Sequence, residues 1–322
     1  MEELIRVENL KKYFSTPVGT VHAVDDVSFS IGKGRTIGVV GESGCGKTTL
    51  GRTVLRLTPA TSGHIYFEGE DILQYSGSQL KKLRREMQII FQDPYASLDP
   101  RMTVERIISE PLRASGACKS KDELYTRVHD IMKVVGVAER IANAYPHELD
   151  GGRRQRVGIA RALALNPKFV VCDEPVSSLD VSIQAQILNL LMDIQDERGL
   201  SYMFVTHDLS VVKHISNDII VMYLGQCVER CGSDELFENP LHPYTEALLS
   251  AIPEPDISMR NKEIKAIRGE VTSPINPPAG CRFAARCEYT CDKCRQMTPE
   301  MKEICPGHFV ACHKVAEEHQ LS

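Results

Sequence analysis

A chain of 322 residues with 42% apolar and 25% charged residues has an ordinary globular composition and a length typical of about two domains. Its formal net charge of −5 argues against a general nucleic-acid-binding surface, and no apolar run approaches the roughly 20 residues that cross a bilayer. The acidic N-terminus, MEELIRVENL, lacks the basic start and apolar core of a signal peptide, so we expect a cytoplasmic protein whose membrane role must come through a partner.

A glycine-rich loop is the first functional motif along the chain. Short β-rich runs at 4–7 and 21–31 predict a small antiparallel sheet, and the apolar run 36–40 then leads into GESGCGKT, which a helix can follow. This is the G-x-x-x-x-G-K-T spacing of a phosphate-binding loop, in which backbone N–H groups and a helix N-terminus face phosphate oxygens. Lys47 can reach the β and γ phosphates, and Thr48 can offer its hydroxyl to Mg²⁺. The predicted nucleotide contacts are Gly41, Glu42, Ser43, Gly44, Cys45, Gly46, Lys47, Thr48 and Thr49.

A glutamine closes the next apolar run. After β structure at 64–67, residues 79–165 are mainly helical in pattern and are interrupted by prolines. Within them, Gln92 follows Ile89-Ile90-Phe91 and precedes Asp-Pro, at a strand-to-loop junction. Its amide oxygen can join the Mg²⁺ shell, although Gln92 taken alone is more simply explained as a surface residue.

A second pair of glycines precedes another predicted helix. Asp150-Gly151-Gly152 stands before residues 153–165, which can run as a helix, and this arrangement makes a second N-terminal anion site. One chain seldom needs two such sites for one nucleotide. Two chains that face each other head to tail would use both.

Two continuous apolar strands, 169–172 and 201–206, are separated by a predicted helix at 181–197 and indicate a parallel sheet buried on both faces. The first ends in Asp173-Glu174, where Asp173 can hold Mg²⁺ and Glu174 can accept a proton from an attacking water. The second ends at His207, which can donate to the γ phosphate, because ligands bind at the carboxyl ends of such strands. Alone, the acidic pair fits a plain turn and the histidine a structural role.

Taken in order, these motifs resemble the ATP-binding cassette of ABC transporters over about residues 4–235. The resemblance implies an α/β domain at 1–235 with a RecA-like parallel sheet core, an antiparallel β subdomain and a helical signature subdomain at about 93–160. It implies that Gly151 and Gly152 close over ATP held by another subunit, and that Ser177–Asp180 crosses between the two sites. Phe14 lies where the family stacks an aromatic ring on adenine, with Tyr13 as the alternative.

The signature sequence departs from the family at two positions. The family usually has Leu-Ser-Gly-Gly-Gln, whereas here Asp150 replaces the serine and Arg153 the glutamine. An ionised Asp150 cannot donate to the γ phosphate and would repel it, at a cost on the order of 4 kcal/mol for charges about 4 Å apart. Arg153, Lys47 and Mg²⁺ would offset part of this cost. Alternatively, Asp150 turns away and caps the helix that starts near Arg153.

Beyond residue 235 the chain is proline-rich and loop-like in pattern, and we treat 236–322 as a C-terminal extension. Its segments 239–248, 280–287 and 311–313 resemble those that follow the cassette in dipeptide and oligopeptide importers. Nickel importers and some importers of other small solutes belong to the same family, so the cargo stays open. The resemblance implies a homologous or identical second ATPase, two transmembrane permease subunits, an indirect extracytoplasmic solute-binding protein and a place at the cytoplasmic face of the membrane.

Six of the eleven cysteines lie in the last 42 residues. In a reducing compartment such a cluster is more typical of metal or iron–sulfur ligation than of disulfides. Cys281, Cys287, Cys294 and Cys312 match the family's cysteine positions, and four thiolates can hold a 4Fe–4S cluster or, alternatively, Zn²⁺. A third alternative is that the thiols hold no metal. Cys291 and Cys305 are spare ligands, and the nearby prolines predict little regular structure around the site.

Two other functions stay open at this stage. A non-transport ABC ATPase acting on ribosomes or DNA would usually carry two cassettes or long coiled-coil insertions, and neither is present. An iron–sulfur protein that merely holds ATP is permitted by the cysteines, but the complete set of hydrolysis residues makes transport the simpler account. We therefore expect a Mg²⁺-dependent ATPase that energises peptide import and binds no nucleic acid.

Overall fold

The computed structural model describes residues 2–252, 269 and 273–319. The strands in these ranges are β1 (Glu3–Thr16), β2 (Gly19–Gly32), β3 (Thr36–Val40), β4 (Ser62–Phe67), β5 (Glu70–Asp71), β6 (Met87–Ile90), β7 (Phe169–Asp173), β8 (Ser201–Val205), β9 (Asp218–Tyr223), β10 (Gln226–Gly232), β11 (Lys302–Cys305) and β12 (His308–Val310). Continuous burial along β3, β7 and β8 agrees with their unbroken apolar sequences.

The α-helices of the described residues lie between and after these strands. They are α1 (Lys47–Val54), α2 (Gly77–Glu86), α3 (Pro94–Ser97), α4 (Val104–Ser115), α5 (Lys121–Val134), α6 (Gly151–Leu163), α7 (Val181–Arg198), α8 (Leu209–Ile215), α9 (Ser233–Glu238), α10 (Pro243–Ser250), α11 (Asp292–Gln296) and α12 (His313–Glu318). Within the described ranges, none of them combines the length and apolar character needed to cross a membrane.

The chain divides by its internal contacts into two compact units, and the first comprises Met1–Leu4, Ile31–Arg35 and Phe67–Val205. In it β6, β7 and β8 run parallel, with β7 in the middle. The register pairs Ile90 with Cys172 and Asp173 with Val205, so the carboxyl ends of the three strands lie side by side. Helices α4, α5 and α6 pack on one another in the same unit.

The second unit comprises Ile5–Ser30, Thr36–Tyr66 and Thr206–Ser322. Its larger sheet has the strand order β11–β12–β10–β9–β3, in which β3 and β9 are parallel and the other pairs are antiparallel. In its smaller sheet β1 lies between β2 and β4. The C-terminal extension therefore continues the sheet that begins with β3, the strand before the glycine loop.

One apolar core joins the elements of the second unit. Tyr223 at the end of β9, Tyr244 on α10 and Phe283 in the extension are buried together, with ring centroids 4.8–5.4 Å apart. Such tilted and edge-to-face pairs are the favoured aromatic geometry. Because Phe283 fills this core, the segment around it is fixed to the body of the unit.

The regions beyond residue 235 hold more regular structure than their composition predicts. Helices α9 and α10 precede residue 252, and β11 and β12 form a hairpin around Pro306, where we expect little order from the sequence. A hairpin accommodates Pro306 because the proline lies in the turn, and Gly307 supplies the positive φ of 77°. The predicted loop at 253–268 and 270–272 lies outside the described residues.

Candidate functional site

The predicted site residues fall into two groups, one in each compact unit. The first unit holds Gln92, Asp150, Gly151, Gly152, Asp173 and Glu174. The second unit holds Phe14, the glycine loop, His207 and the four predicted cysteine ligands. Each group has a local geometry of its own.

The glycine loop rests directly on neighbouring backbone. Gly41, Gly44 and Gly46 have positive φ angles of 149°, 78° and 105°, which glycine adopts at no steric cost. A Cβ atom at Gly46 would lie 1.9 Å from the carbonyl oxygen of Ala23, and one at Gly41 would lie 2.2 Å from that of Met222. The loop therefore requires glycine at both positions, for conformation and for space.

Lys47 is enclosed by this loop. Its side chain carries the ammonium back over the loop, where Nζ donates to the carbonyl oxygens of Gly41 at 2.7 Å and Glu42 at 3.0 Å. The residue is only 5% exposed, so its charge is concentrated inside the loop. Helix α1 begins at Lys47, and its N-cap residue, Gly46, has no side chain with which to cap the first N–H groups. A buried ammonium beside an uncapped helix N-terminus is the chemistry of a phosphate site.

His207 follows Thr206, and both residues belong to the second unit. The N–H of Thr206 donates to the carbonyl oxygen of Val39 at 3.1 Å, one residue before β3 ends and the loop follows. His207 itself is exposed, and Asp208 caps α8 by accepting from the N–H groups of Ser210 and Val211. The histidine is thus held between a strand end and a capped helix.

The two aromatic residues considered for adenine have different surroundings. Tyr13 stacks on His22, with ring centroids 4.0 Å apart, and its hydroxyl donates to the carboxylate of Asp25. Burial, the hydrogen bond and the charge of Asp25 all raise the pKa of Tyr13. Phe14 is 40% exposed, with the Lys12 ammonium 4.6 Å from the centre of its ring. Phe14 therefore offers the more accessible face, and its contact with adenine stays a prediction.

In the first unit the structure brings Gln92 and Glu174 together. The register of β6 and β7 pairs Ile90 with Cys172, so the residues two positions further on are also neighbours. Gln92 Nε2 donates to Glu174 Oε2 at 2.7 Å. Glu174 has a positive φ of 45°, and its N–H donates to Val205 O at 2.9 Å, which fixes its backbone at the strand ends.

Asp173 is the last residue of β7 and is 2% exposed. A carboxylate in this position is withdrawn from bulk water, which strengthens its interaction with a cation. Asp173 thus has the setting that its predicted Mg²⁺ contact requires, and this contact stays a prediction.

Asp150 caps helix α6. Its Oδ1 accepts from the N–H of Arg153 at 2.8 Å, and its Oδ2 lies 3.4 Å from Arg153 Nε. The capping alternative for Asp150 is therefore confirmed. The prediction that the helix begins at Arg153 was two residues too late, because α6 begins at Gly151. In this conformation one carboxylate oxygen of Asp150 is engaged in a hydrogen bond with the first turn of α6.

The glycines after Asp150 allow α6 to approach the segment that follows Glu174. A Cβ at Gly151 would lie 3.2 Å from Leu179 Cδ2, and one at Gly152 would lie 2.8 Å from Ile183 Cγ2. The hydroxyl of Ser177 donates to Glu174 O at 3.2 Å. These contacts therefore pack the glycine pair against the segment 177–180, which is itself bonded to Glu174.

The four predicted cysteine ligands are not assembled into a metal site. Within the described residues no three His, Cys, Asp or Glu side chains are arranged to hold a metal ion, and the assignment of the four cysteines as ligands stays a prediction. Burial raises the pKa of Cys281 to about 12, and it also raises the pKa of Cys287, Cys294 and Cys312. Without a cation these thiols stay protonated and do not need a tetrahedral arrangement. Cys294 Sγ instead lies 3.5 Å from Cys291 Sγ.

The donor chemistry around these thiols nevertheless fits a cluster. A cavity of about 530 Å³ is lined by Cys281, Cys287 and Cys294 together with Thr290. Thr290 Oγ1 is buried and has no hydrogen-bond partner among the described residues. Cys294, Cys312 and Cys287 also contribute to the raised pKa of Cys281.

Two contacts to the glycine loop have no counterpart in the sequence motifs. Arg286 donates from its two terminal guanidinium nitrogens to the Glu42 carboxylate at 2.7 and 3.1 Å, and the N–H of Glu42 donates to Tyr244 Oη at 2.9 Å. These partners are more than 200 positions apart, so no local pattern predicts them. The only signal is that Arg286 stands beside Cys287 in a segment that family resemblance had already marked.

Family comparisons cover most of the chain. The family described as ABC transporter matches residues 24–177, and the one described as oligopeptide/dipeptide transporter, C-terminal region, matches 228–294. The oligopeptide transport ATP-binding protein AppF of Bacillus subtilis (strain 168) is 48% identical over 97% of both chains. OppF of Salmonella typhimurium, with the same description, is 50% identical over 95% of this chain and 91% of its own.

Solved structures share the fold at 29–30% identity. The cassette MJ0796, solved as a dimer in a post-hydrolysis state with ADP and Pi, has a TM-score of 0.66 and covers 71% of this chain and 99% of its own. CbiO1 from Clostridium perfringens, part of the ABC transporter complex cbiONQ, has a TM-score of 0.66 and covers 74% and 92%.

Proposed function

The chain belongs to the ATP-binding subunits of oligopeptide and dipeptide ABC transporters, and we propose that it hydrolyses ATP to drive peptide import through a membrane permease. Membership confirms the resemblance carried by the sequence motifs. The peptide cargo is supported by the names of AppF and OppF, which match over nearly the whole chain. The boundary at residue 235 stays a prediction.

The observation that carries the ATPase proposal is the glycine loop around Lys47. Two carbonyl oxygens hold the Lys47 ammonium inside the loop, and Gly41 and Gly46 admit no side chain. Such a loop binds the β and γ phosphates of ATP through its N–H groups and the ammonium. Thr48, Gln92 and Asp173 would hold Mg²⁺ through their side-chain oxygens. When bound, the ion would supply neutralisation of the phosphate charge.

Glu174 acts as the general base in this proposal. Its carboxylate takes a proton from the attacking water, and Gln92, which donates to it at 2.7 Å, orients it. His207 stabilises the γ phosphate by a hydrogen bond. Gly151 and Gly152, at the start of α6, lie over the nucleotide of a second ATPase subunit, as head-to-tail pairing requires. Two permease subunits then place the pair at the cytoplasmic face of the membrane.

Glu174→Gln tests the assignment of the base. The amide keeps the size and the hydrogen bond of the side chain but accepts no proton, so ATP stays bound while turnover falls about a hundredfold or more. ATP hydrolysis and peptide uptake are measured in the assembled transporter reconstituted in vesicles. Glu197→Gln, an exposed change on α7, is the matched control and should keep wild-type rates. A wild-type rate of ATP hydrolysis in Glu174→Gln would refute the role of Glu174 as general base. If the wild-type transporter hydrolyses ATP but takes up no peptide, the proposed cargo is refuted.

We further propose that Cys281, Cys287, Cys294 and Cys312 hold a 4Fe–4S cluster, with Zn²⁺ as the alternative. The proposal is supported by the cavity lined by three of these thiols and by the Thr290 hydroxyl, which has no hydrogen-bond partner in the described part of the chain. Binding would require deprotonation of four thiols whose pKa values are raised by burial, which a metal cation readily drives. The group would cross-link the extension and would play a structural or regulatory part.

A further inference from the structure

The segment 281–287 carries two arginines whose charged ends are turned into the protein. The side chains of Arg282 and Arg286 are 6% and 7% exposed. Phe283 lies between them in sequence and fills the core beside Tyr223 and Tyr244. Buried arginines are rare unless they are paired, so the partners of these two indicate what the segment does.

Arg286 pairs with the second residue of the glycine loop. Its two terminal nitrogens contact the two carboxylate oxygens of Glu42, which is the fork geometry that guanidinium and carboxylate groups favour. Glu42 also donates its backbone N–H to Tyr244 Oη at 2.9 Å, and its carbonyl oxygen accepts from Lys47 Nζ at 3.0 Å. Whatever holds Glu42 in place therefore also holds one of the two carbonyl oxygens that position the phosphate-binding ammonium.

Arg282 supports the other end of the loop. It donates to the carbonyl oxygen of Leu224 and to the carboxylate of Asp25. The next residue, Gly225, donates its N–H to the loop carbonyl of Cys45 at 2.8 Å and accepts from the N–H of Asp25 at 2.8 Å. The turn at Leu224 and Gly225 therefore holds the glycine loop at Cys45, and Arg282 of the extension holds this turn in place.

The charge of Glu42 gives Arg286 a second task. A carboxylate inside a loop that receives a nucleoside triphosphate repels the phosphates, and the effect is strong where water is scarce. The Glu42 side chain is 24% exposed, so water screens it only in part. The bidentate guanidinium cancels this charge where the phosphates approach.

We propose that Arg286 is a positioning residue for ATP, which holds Glu42 in place and neutralises its carboxylate, and that Arg282 holds the turn beneath the same loop. The C-terminal extension thereby sets the affinity of the nucleotide site. The proposal rests on ATP binding by the glycine loop.

The test is a set of ATP affinities for the full-length chain, measured with Mg²⁺-ATP by titration calorimetry in the Glu174→Gln background. Arg286→Gln should weaken ATP binding about tenfold, because it loses two charge-assisted hydrogen bonds and leaves the carboxylate uncompensated. Glu42→Gln should weaken binding only about threefold, because it removes the repelling charge together with the contact. The double variant Glu42→Gln, Arg286→Gln should bind ATP more tightly than Arg286→Gln alone. Arg286→Lys should lie between wild type and Arg286→Gln, since it restores the charge without the fork.

The order of these affinities separates positioning from plain stabilisation. A purely structural pair would leave all folded variants with wild-type affinity, and that result would overturn the proposal. A double variant weaker than Arg286→Gln would overturn the part assigned to charge. Lys293→Gln, which breaks the exposed Lys293–Glu317 pair of the extension, is the matched control and should bind ATP normally. Should Arg286→Gln fail to fold, the ATP affinities of Glu42→Gln, Glu42→Ala and wild type still test the contact between Glu42 and Arg286. Of these three proteins, only wild type carries the carboxylate that Arg286 neutralises. Failure of the parent chain to bind ATP would refute the proposed function instead.

Discussion

Replacing His308 should destabilise the second unit, because it leaves a buried charge short of a partner. Glu229 on β10 is 0% exposed and its carboxylate accepts three hydrogen bonds. The N–H of Leu241 donates at 2.8 Å, the N–H of His242 at 3.0 Å, and His308 Nε2 on β12 lies 2.8 Å away. This one carboxylate therefore ties the strand before α9, the chain before α10 and the C-terminal hairpin together.

The magnitude follows from what each variant leaves behind. Removing one partner of a buried ion pair costs about 3–5 kcal/mol, and the two remaining N–H donors place His308→Ala at the lower end, about 3 kcal/mol. His308→Gln keeps a donor of similar reach without the charge, so we expect a loss of about 1.5 kcal/mol. The ring of His308 is also fully enclosed, and its second nitrogen lies 3.5 Å from Glu235.

The pH dependence has a definite sign. Burial lowers the pKa of His308, but the hydrogen bond and charge of Glu229, with a further contribution from Glu235, outweigh it and raise the pKa above its ordinary value. A folded-state pKa above the unfolded one gives stability that is complete below about 6.5 and is lost as the pH rises through the folded value. The loss in free energy of unfolding caused by His308→Gln should therefore be larger near pH 6 than near pH 9. His242, whose pKa burial lowers to about 4, stays neutral across this window.

Urea unfolding of the full-length chain at both pH values, followed by circular dichroism, measures these differences. His214→Gln, an exposed change on α8, should leave the midpoint unchanged. Equal stability losses for His308→Gln at the two pH values would refute the charged pair, and a loss below about 1 kcal/mol for His308→Ala would refute the cost assigned to the buried carboxylate.

Two further expectations concern Asp150 and the cysteines. Asp150→Ser should raise, or at least not lower, ATP turnover by the assembled transporter. Serine still caps α6, and the change removes a charge that repels the γ phosphate of the paired site. A large loss of turnover would show that Asp150 contributes to hydrolysis at that site. Anaerobically purified chain should be brown, with absorption near ~400 nm that Cys287→Ser or Cys294→Ser bleaches and Cys118→Ser does not. Colourless protein with stoichiometric zinc would change the metal, and protein with neither metal would refute the ligand set.

The parts of the fold predicted from sequence are those whose signal is local. Strands β7 and β8 follow from unbroken apolar runs, and helix α7 follows from the spacing between them. The glycine loop is recognisable because glycine, lysine and threonine must stand at fixed distances along one short segment. Gln92 and Glu174 each follow a predicted strand, and only the register of β6 and β7 and the hydrogen bond between them show that they touch.

The remainder depends on contacts between distant parts of the chain. The hairpin of β11 and β12 has only seven strand residues, and it is ordered by pairing with β10 rather than by its own composition. Glu229 has the sequence context of a surface residue, and only the pairing of Glu229 with Val310 brings His308 to it. No periodicity within β10 indicates a buried carboxylate.

Asp150 shows why a correct local prediction can leave the chemistry undecided. The sequence presents a helix start with an acidic residue, and the structure shows that the residue caps it, with the Arg153 side chain 3.4 Å from its second oxygen. Capping satisfies one oxygen and lowers the repulsion of an approaching phosphate, but it supplies no proton donor in place of the serine hydroxyl. A cassette that offers its partner a carboxylate where a hydroxyl is usual works best if the opposite site, on its own glycine loop, is completed by a partner with an intact signature. From the substitution at this helix start we therefore expect pairing with a different ATPase subunit and two composite sites with unequal rates.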